Sequence, residues 1–189
     1  MKGVINIGSH FGEQYNHWVL SGAKNLLFIE PVTSNYNEIA REYGGIPGVR
    51  IIKTALGTYT GKASMYVDDK HLSFSASILK PTGHYEDYPS IEFDKNEEVD
   101  ITTLDALDYD RYLYDYMYLT AQGAEMDILR HGDMSLHFIY TIKSQVYRKR
   151  LYEGCSLAGE FSAYLGDLGY KLVKVEDAGL SWDYATYQR

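Results

Sequence analysis

Val4-Ile5-Asn6-Ile7-Gly8-Ser9-His10-Phe11-Gly12-Glu13 lies close to the start of the chain and decides its fold. An apolar run enters a turn that contains Gly8 and Gly12, and a helical pattern follows. Glycine lets the backbone approach a ligand closely, and the first turn of a helix presents unpaired N–H groups and a positive dipole end. The stretch therefore predicts a strand, a turn and a helix that cradle a nucleotide cofactor. Glycine turns also join strands to helices for purely local reasons, and that alternative stays open.

The next apolar run, Asn25 to Ile29, ends at a carboxylate, Glu30. In doubly wound sheets, an acidic residue at this place accepts hydrogen bonds from a ribose diol. The alternative is that Glu30 only balances the positive end of the helix that follows. Together with the glycine turn, Glu30 favours an adenosine-containing ligand.

Strands and helices alternate in the early part of the chain. Apolar positions in residues 11–22 follow one helical face. Thr33 or Ser34 can cap a second helix, which carries Tyr36, Ile39, Ala40 and Tyr43 and is closed by Gly44-Gly45 and Pro47. Residues 49–55 are predicted to form a third buried strand. This order is typical of a parallel sheet that helices cover on both faces.

The pattern changes after Gly57, where half-exposed strands are predicted around a loop at residues 71–89. The later predicted strands are residues 63–67, 98–102, 116–119, 137–142, 171–175 and 182–187, and the last two form a hairpin. Helices are expected in residues 122–132 and 157–168. Residues 109–118 hold five of the 19 tyrosines and are interpreted as a connection that packs on the sheet edge.

The composition is that of one globular domain. The 189 residues, 45% of them hydrophobic, can build a single domain over residues 1–189 with a sizeable core. Cys155 is the only cysteine, which excludes an intrachain disulfide and a cysteine metal cluster. The sequence shows no secretory leader and no apolar run of about 18 residues. We therefore expect a soluble, cytoplasmic or otherwise intracellular protein with no membrane span.

The charge of the chain is acidic, with a net charge of −8 and a pI near 5.2. Nucleic-acid binding depends mainly on clustered Lys and Arg, so no nucleic-acid partner is expected. The four basic residues within 143–150 are interpreted as a solvated segment.

Several short motifs in a fixed order resemble the FkbM-type S-adenosylmethionine-dependent methyltransferases, which act mostly on hydroxyl groups of sugars and polyketides. These motifs are Ile5-Asn6-Ile7-Gly8-Ser9-His10-Phe11-Gly12-Glu13, Phe28-Ile29-Glu30-Pro31, the serine-rich residues 75–81 with His84 and Tyr88-Pro89, Thr103-Leu104-Asp105-Ala106-Leu107, Gln122-Gly123-Ala124-Glu125, Leu151-Tyr152-Glu153-Gly154-Cys155 and Trp182-Asp183-Tyr184-Ala185. The resemblance implies an α/β, Rossmann-like class I methyltransferase fold. Its mostly parallel seven-stranded sheet would carry helices on both faces and a C-terminal antiparallel hairpin.

The same resemblance implies S-adenosyl-L-methionine as the cofactor and a sugar hydroxyl, in a glycan, as the acceptor. The expected cofactor-binding residues are Asn6, Gly8, Ser9, His10, Gly12, Glu13, Glu30, Pro31, Ala55, Ser77, Thr120 and Gln122. A methyltransferase of a non-sugar small molecule is an alternative.

Three positions depart from the family pattern. Asn6 and Thr120 stand where the family usually has Asp, and Gln145 stands where it usually has Glu. Thr120 and Gln145 cannot act as bases or as strong hard-metal ligands near neutral pH, so no metal site is predicted. The chain is then either an active enzyme whose base lies elsewhere or a cofactor-binding relative without chemistry.

Three side chains are candidates for the base that removes the acceptor proton: His10, His84 and Glu125. His10 is preferred, because it lies in the turn that should hold the cofactor and an imidazole titrates in the useful range. Each has a structural alternative, because His10 could cap a helix, His84 could be a surface loop residue and Glu125 could interact with a helix dipole. A nicotinamide dehydrogenase would share the strand, turn and acid, but only Gly8 and Gly12 of its usual three glycines are present. A non-catalytic binding module stays a rival.

Overall fold

The computed structural model describes residues 1–189, which form ten strands and six α-helices. The strands are β1 Gly3–Ile7, β2 Asn25–Ile29, β3 Val49–Ile52, β4 Ala55–Leu56, β5 Gly61–Val67, β6 Lys95–Thr102, β7 Tyr116–Leu119, β8 Thr141–Tyr147, β9 Lys171–Asp177 and β10 Trp182–Gln188. The helices are α1 Tyr15–Leu20, α2 Thr33–Tyr43, α3 His84–Asp87, α4 Glu125–Arg130, α5 Asp133–Leu136 and α6 Ala158–Asp167. Two short 3-10 turns lie at Asp69–His71 and Arg111–Leu113.

The main sheet has seven strands in the order β3-β2-β1-β7-β8-β10-β9. All of its neighbours pair in parallel except β10, which is antiparallel to both β8 and β9. This arrangement confirms the predicted Rossmann-like sheet with its C-terminal antiparallel hairpin.

Apolar side chains fill both faces of this sheet, since successive residues of a strand point to opposite sides. One face buries Ile5, Ile7, Leu27, Ile29, Met117, Leu119 and Ile142 against residues that include Ile128 of α4 and Phe161 and Leu165 of α6. The other face buries Val4, Leu26 and Phe28 against Trp18 of α1 and Ile39 of α2. Helices therefore cover both faces, as the alternation of strands and helices predicts.

The central strands end together at one edge of the sheet. Ile7 is in register with both Ile29 and Leu119, so β1, β2 and β7 stop at the same level. Gly8 and Thr120 follow two of these strands directly. In open α/β sheets, ligands bind beyond the carboxyl ends of the strands, at the point where the strand order reverses. Here that point lies between β1 and β7.

A second sheet of three strands, in the order β4-β6-β5, lies beside the first and corrects the prediction of one strand over residues 49–55. β3 ends at Ile52, and Ala55 pairs instead with Ile101 of β6. The Thr54 hydroxyl, 3.1 Å from the Asp100 carbonyl oxygen, ties the crossing point to the second sheet. The apolar run is continuous in sequence, but the strand changes partners within it.

Two further local predictions are corrected. The strand predicted over residues 137–142 begins only at Thr141, because Ile139 packs into the core from a turn and its carbonyl accepts a bond from Tyr170. The predicted loop over residues 71–89 contains α3, which begins at His84 and ends at Asp87.

No helix combines the length and the apolar character needed to cross a bilayer.

Candidate active site

The turn after β1 depends on glycine at two positions. A Cβ at Gly8, where φ is 74°, would lie 2.3 Å from the Thr120 carbonyl oxygen. A Cβ at Gly12, where φ is 77°, would lie 2.8 Å from the Tyr43 ring. Both residues therefore adopt left-handed backbone in spaces that exclude a side chain. Gly8 faces the cavities described below, whereas Gly12 packs beneath the turn.

Glu30 follows β2 and is held by the backbone on both sides. One of its oxygens accepts a hydrogen bond from the His10 N–H at 2.9 Å, and the other accepts one from the Val32 N–H at 3.0 Å. The side chain is only 4% exposed, and this burial raises its pKa to about 7 despite the hydrogen bonds. A carboxylate fixed in this way is ready to accept bonds from a diol.

Two adjoining cavities open at this edge of the sheet. The first is narrow, with about 60 Å³ of free volume, and the second holds about 430 Å³. They share Gly8, His10, Phe74, Thr120 and Gln122. A ligand that passes from one cavity to the other must therefore cross the glycine turn.

The first cavity is mainly apolar with one carboxylate. Its apolar lining includes Ile7, Ile29, Ala55, Leu56, Met65, Ala76, Ile78 and Ile128. Glu30 and Pro31 border it at the end of β2. An apolar slot beside a carboxylate suits a nucleoside, whose base is flat and whose ribose carries two hydroxyls.

The second cavity combines neutral polar side chains with aromatic rings. It is lined by Asn6, Gly8, Ser9, His10, Glu13, Gln14, Phe74, Ser75, His84, Tyr88, Ile91, Tyr118, Thr120, Gln122, Gln145, Leu151, Trp182 and Tyr184. The amides of Asn6 and Gln145 come from β1 and β8, those of Gln14 and Gln122 come from loops, and Trp182 and Tyr184 project from β10. No Lys or Arg lines this cavity.

Asn6 is the polar group with the clearest need for a ligand. Its side chain is 2% exposed, and neither its amide nitrogen nor its amide oxygen has a hydrogen-bond partner. Buried polar groups are nearly always hydrogen-bonded, because leaving one unpaired costs roughly 1–3 kcal/mol. The amide can pair with the polar amino-acid end of a cofactor that reaches the second cavity.

A segment that we call the strap, Leu72–Ser77, covers the junction of the two cavities. Gln122 holds it, because its side-chain amide donates to the Phe74 carbonyl at 3.0 Å and its own carbonyl accepts from the Ser77 hydroxyl at 2.7 Å. Leu72 and Ser73 both have left-handed backbone, with φ of 58° and 62°. Ser77 therefore positions the strap and lines neither cavity.

His10 joins the glycine turn to the strap. Its Nδ1 is hydrogen-bonded to the Glu13 carboxylate, and its Nε2 lies 2.6 Å from the Leu72 carbonyl oxygen. Burial alone would lower the pKa of His10, but the bonds to Glu13 and Leu72 outweigh it and raise the pKa. Both partners are hydrogen-bond acceptors, so both contacts are satisfied only when both ring nitrogens are protonated.

His84 has the opposite environment. Its side chain is 3% exposed, packs against Tyr88, Phe93 and Tyr152, and lines the second cavity. Its Nδ1 has no hydrogen-bond partner. Burial lowers the pKa of His84, which favours the neutral ring near neutral pH. The structure thus corrects the alternative of a surface loop residue.

Glu125 lies beneath the site and lines neither cavity. Its carboxylate accepts a hydrogen bond from the Gly123 N–H at 2.9 Å and lies 3.5 Å from the Tyr147 hydroxyl. Burial raises the pKa of Glu125 to about 7. Its contacts stabilise the turn that carries Gln122, and its side chain does not face the space that is open to a ligand.

The structure thus gathers most of the sequence-predicted residues around the two cavities. Gly12, Ser77 and Glu125 lie outside the linings. The aromatic walls, Trp182, Tyr184, Tyr118 and Tyr88, and the strap residue Phe74 were not predicted as site residues. The alternation of Trp182 and Tyr184 along β10 was the available signal, since it places both rings on one face. No group of three or more His, Cys, Asp or Glu side chains is placed to hold a metal ion.

Comparison with known proteins gives consistent results. The family described as the methyltransferase FkbM domain matches residues 6–172. The 2-O-methyltransferase NoeI of Sinorhizobium fredii is 26% identical over 162 residues, which cover 80% of this chain and 65% of NoeI.

Solved structures show the same fold. The FkbM methyltransferase of Methylobacillus flagellatus superposes with a TM-score of 0.65 at 14% identity, over 99% of this chain and 43% of that one. A second structure is that of a Streptococcus pneumoniae protein assigned as a tRNA (m1A22) methyltransferase, in complex with S-adenosyl-L-methionine. It superposes with a TM-score of 0.57 at 13% identity, over 98% of this chain and 64% of that one. The chain spans less than two thirds of the length of each of these relatives.

Proposed function

The chain belongs to the FkbM methyltransferase family, and from this we propose that it transfers a methyl group to a hydroxyl oxygen of a sugar in a glycan. Its cofactor is S-adenosyl-L-methionine, which when bound supplies an electrophilic methyl group on a sulfonium. We propose that Glu30 accepts the ribose hydroxyls, that the first cavity takes the adenine and that Asn6 binds the amino-acid end.

The observation that carries the proposal is the pair of cavities that share the glycine turn. The narrow cavity suits a nucleoside, and the larger one adjoins it at Gly8 and Thr120. Methyl transfer is an in-line displacement, so the acceptor must approach from the side opposite the departing sulfur. A second cavity that meets the first at one point provides that approach.

A sugar acceptor is supported by the lining of the second cavity. The rings of Trp182 and Tyr184 lie 5.3 Å apart, nearly perpendicular, and present aromatic surface to the cavity. Aromatic rings stack on the apolar faces of sugars, and the amide of Gln145 can pair with hydroxyl groups. The similarity to NoeI, a 2-O-methyltransferase, supports oxygen as the acceptor atom. The lack of Lys and Arg in the lining disfavours nucleic-acid phosphate.

A catalytically inactive relative that binds the cofactor is the second candidate. It is favoured by one observation: Glu13 is the only carboxylate that lines the second cavity, and it is bonded to His10. A non-sugar hydroxyl acceptor of similar size would use the same cavity.

Mass spectrometry of sugar panels, preceded by calorimetry with S-adenosylhomocysteine, tests the proposal. Binding of S-adenosylhomocysteine and a gain of one methyl group on a neutral sugar are expected. Gly8→Ala is the matched loss-of-binding control, because its Cβ would overlap the Thr120 carbonyl. Binding without methylation of any acceptor would favour the inactive relative, and no binding would contradict both candidates.

A further inference from the structure

We propose that His84 is the general base of the reaction and that His10 is a cationic latch that holds the strap over the cofactor. This assignment rests on the proposed function. It assigns different roles to two histidines that border the same cavity, because different atoms surround the two rings.

The surroundings of His10 leave it no free lone pair. Glu13 and the Leu72 carbonyl are both acceptors, and each ring nitrogen bonds to one of them. A base must offer an unshared pair to the acceptor hydroxyl, so His10 could act only if the strap opened. The Phe74 ring stacks on the imidazole with the centroids 4.0 Å apart, which closes one face of the ring as well.

The His84 ring lacks the hydrogen bonds that occupy both nitrogens of the His10 ring. Its Nδ1 is buried without a partner, and its Nε2, which makes no hydrogen bond, is the nitrogen left to meet an acceptor in the cavity that the ring borders. The rings of Tyr88, Phe93 and Tyr152 pack against it, and this burial lowers its pKa and favours the neutral ring. A neutral imidazole with an unshared pair is the form that accepts a proton.

The charged groups around His84 are already paired with other residues. Asp68, fully buried, lies 2.8 Å from the His71 ring nitrogen. Asp87 bonds to Lys149 at 2.8 Å and also accepts a bond from the Ser181 hydroxyl. The two carboxylates favour the protonated ring, whereas the burial of His84 opposes it and prevails. The remaining titratable neighbours, Tyr88 and Tyr152, are phenols.

The position of His84 is fixed by its backbone. The N–H groups of Thr82 and His84 both donate to the Leu151 carbonyl, at 2.9 Å and 3.2 Å. Lys149 bonds to Glu86 and Asp87 on the same short helix. These bonds fix the backbone of His84, and the packed rings of Tyr88, Phe93 and Tyr152 hold its imidazole before any acceptor arrives, which a base in a positioned reaction requires.

The chemical step balances with His84 as the base. The acceptor O–H bond breaks and its proton passes to an imidazole nitrogen. A new bond forms between the acceptor oxygen and the methyl carbon, while the bond from that carbon to the sulfonium sulfur breaks. The sulfur leaves as a neutral thioether, and His84 releases its proton to water after the product departs.

Nitrogen NMR of the histidine rings tests the assignment without an acceptor. The full chain, labelled with ¹⁵N and bound to S-adenosylhomocysteine, gives one ring spectrum for each of the six histidines. His10 is expected to carry both protons at pH 7 and to titrate above its ordinary pKa of 6.5, whereas His84 is expected to be neutral and to titrate below it. Single Gln variants of both residues assign the signals, and His137→Gln, at an exposed remote site, is the control. A protonated His84 together with a neutral His10 would overturn the proposal.

Kinetics with an acceptor that the wild-type protein methylates supply the second test. His84→Ala is expected to lower kcat about a hundredfold or more, to leave S-adenosylhomocysteine affinity within about threefold, and to regain turnover with added imidazole. His10→Ala is expected to raise the KM for the cofactor instead. Full turnover by a folded His84→Ala or His84→Gln variant would refute the base. A wild-type protein that methylates nothing would refute the proposed function, which separates the two failures.

Discussion

The Nε2 of His10 lies 2.6 Å from the carbonyl oxygen of Leu72, and through this bond the turn after β1 holds the strap. The same histidine donates its backbone N–H to Glu30, the carboxylate at the end of β2. One residue therefore links the strap to both loops that surround the first cavity. Because that cavity is narrow and the strap lies at its junction with the second cavity, we expect the strap to move when a cofactor enters or leaves.

Weakening the strap should speed cofactor exchange. Phe74→Ala removes the ring that stacks on His10, a contact worth about 0.5–1.5 kcal/mol. We expect S-adenosylhomocysteine to dissociate roughly 2- to 10-fold faster in a stopped-flow displacement assay. Phe138→Ala, at an aromatic residue that lines neither cavity, is the control. An unchanged dissociation rate would show that the strap does not limit exchange.

Cofactor affinity should depend on the ionisation of Glu30. Its pKa of about 7 means that the carboxylate becomes fully charged only above neutral pH, and hydrogen bonds from ribose favour the charged form. Calorimetry should show wild-type affinity rising from pH 6 to pH 8. Glu30→Gln should bind about tenfold more weakly at pH 8, and the gap should narrow at pH 6.

The matched control for Glu30 is Glu125→Gln, which removes a second buried carboxyl with a pKa of about 7 outside both cavities. Its cofactor affinity should stay at the wild-type level at each pH. Equal affinity of wild type and Glu30→Gln across the range would remove Glu30 from the binding site.

Glu125 should make the stability of the fold depend on pH. Its pKa is raised from 4.5 to about 7 in the folded state, so ionising it costs stability as pH rises between those values. Glu125→Gln keeps an oxygen that can accept the Gly123 bond and cannot ionise. Urea unfolding should show the variant more stable than wild type by on the order of 2–3 kcal/mol at pH 8, with the difference gone near pH 4.

An exposed glutamate serves as the control for that experiment. Glu153→Gln should leave the free energy of unfolding within about 0.5 kcal/mol of wild type at both pH values. A Glu125→Gln variant that is less stable than wild type at pH 8 would mean that the carboxylate charge stabilises the turn.

The aromatic wall of the second cavity should act on the acceptor alone. Trp182→Ala removes one side of that wall and should raise the KM for a sugar acceptor about tenfold, while the KM for the cofactor stays near wild type. Tyr140→Ala, at an exposed ring that lines neither cavity, should change neither constant. A change in the KM for the cofactor alone would show that Trp182 contacts the cofactor, which contradicts its assignment to the acceptor cavity.

Local pattern was enough to predict a parallel sheet with helices on both faces and part of the site, whereas the seven-stranded class I fold was implied by the family resemblance. The strand before Gly8 and the acid at Glu30 were visible because strand, turn and carboxylate are adjacent in sequence. The pairing of Ala55 with Ile101 was not visible, because it joins segments that no local pattern connects. Sequence likewise suggested His10, His84 and Glu125 as candidates for the base and preferred His10, which lies in the glycine turn. Only long-range contacts distinguish them. The Leu72 carbonyl is hydrogen-bonded to the His10 ring, the Tyr152 ring packs on His84, and the Tyr147 hydroxyl lies beside the Glu125 carboxylate.

Transfer of an isotopically labelled methyl group tests the central claim most directly. The protein is incubated with S-adenosylmethionine carrying a trideuterated methyl group and with a panel of neutral sugars, and the products are examined by mass spectrometry and NMR. The proposed function predicts the label on a hydroxyl oxygen of a sugar with the wild-type protein and none with Gly8→Ala. Label that stays on the donor with every acceptor, in a protein shown by calorimetry to bind S-adenosylhomocysteine, would contradict it.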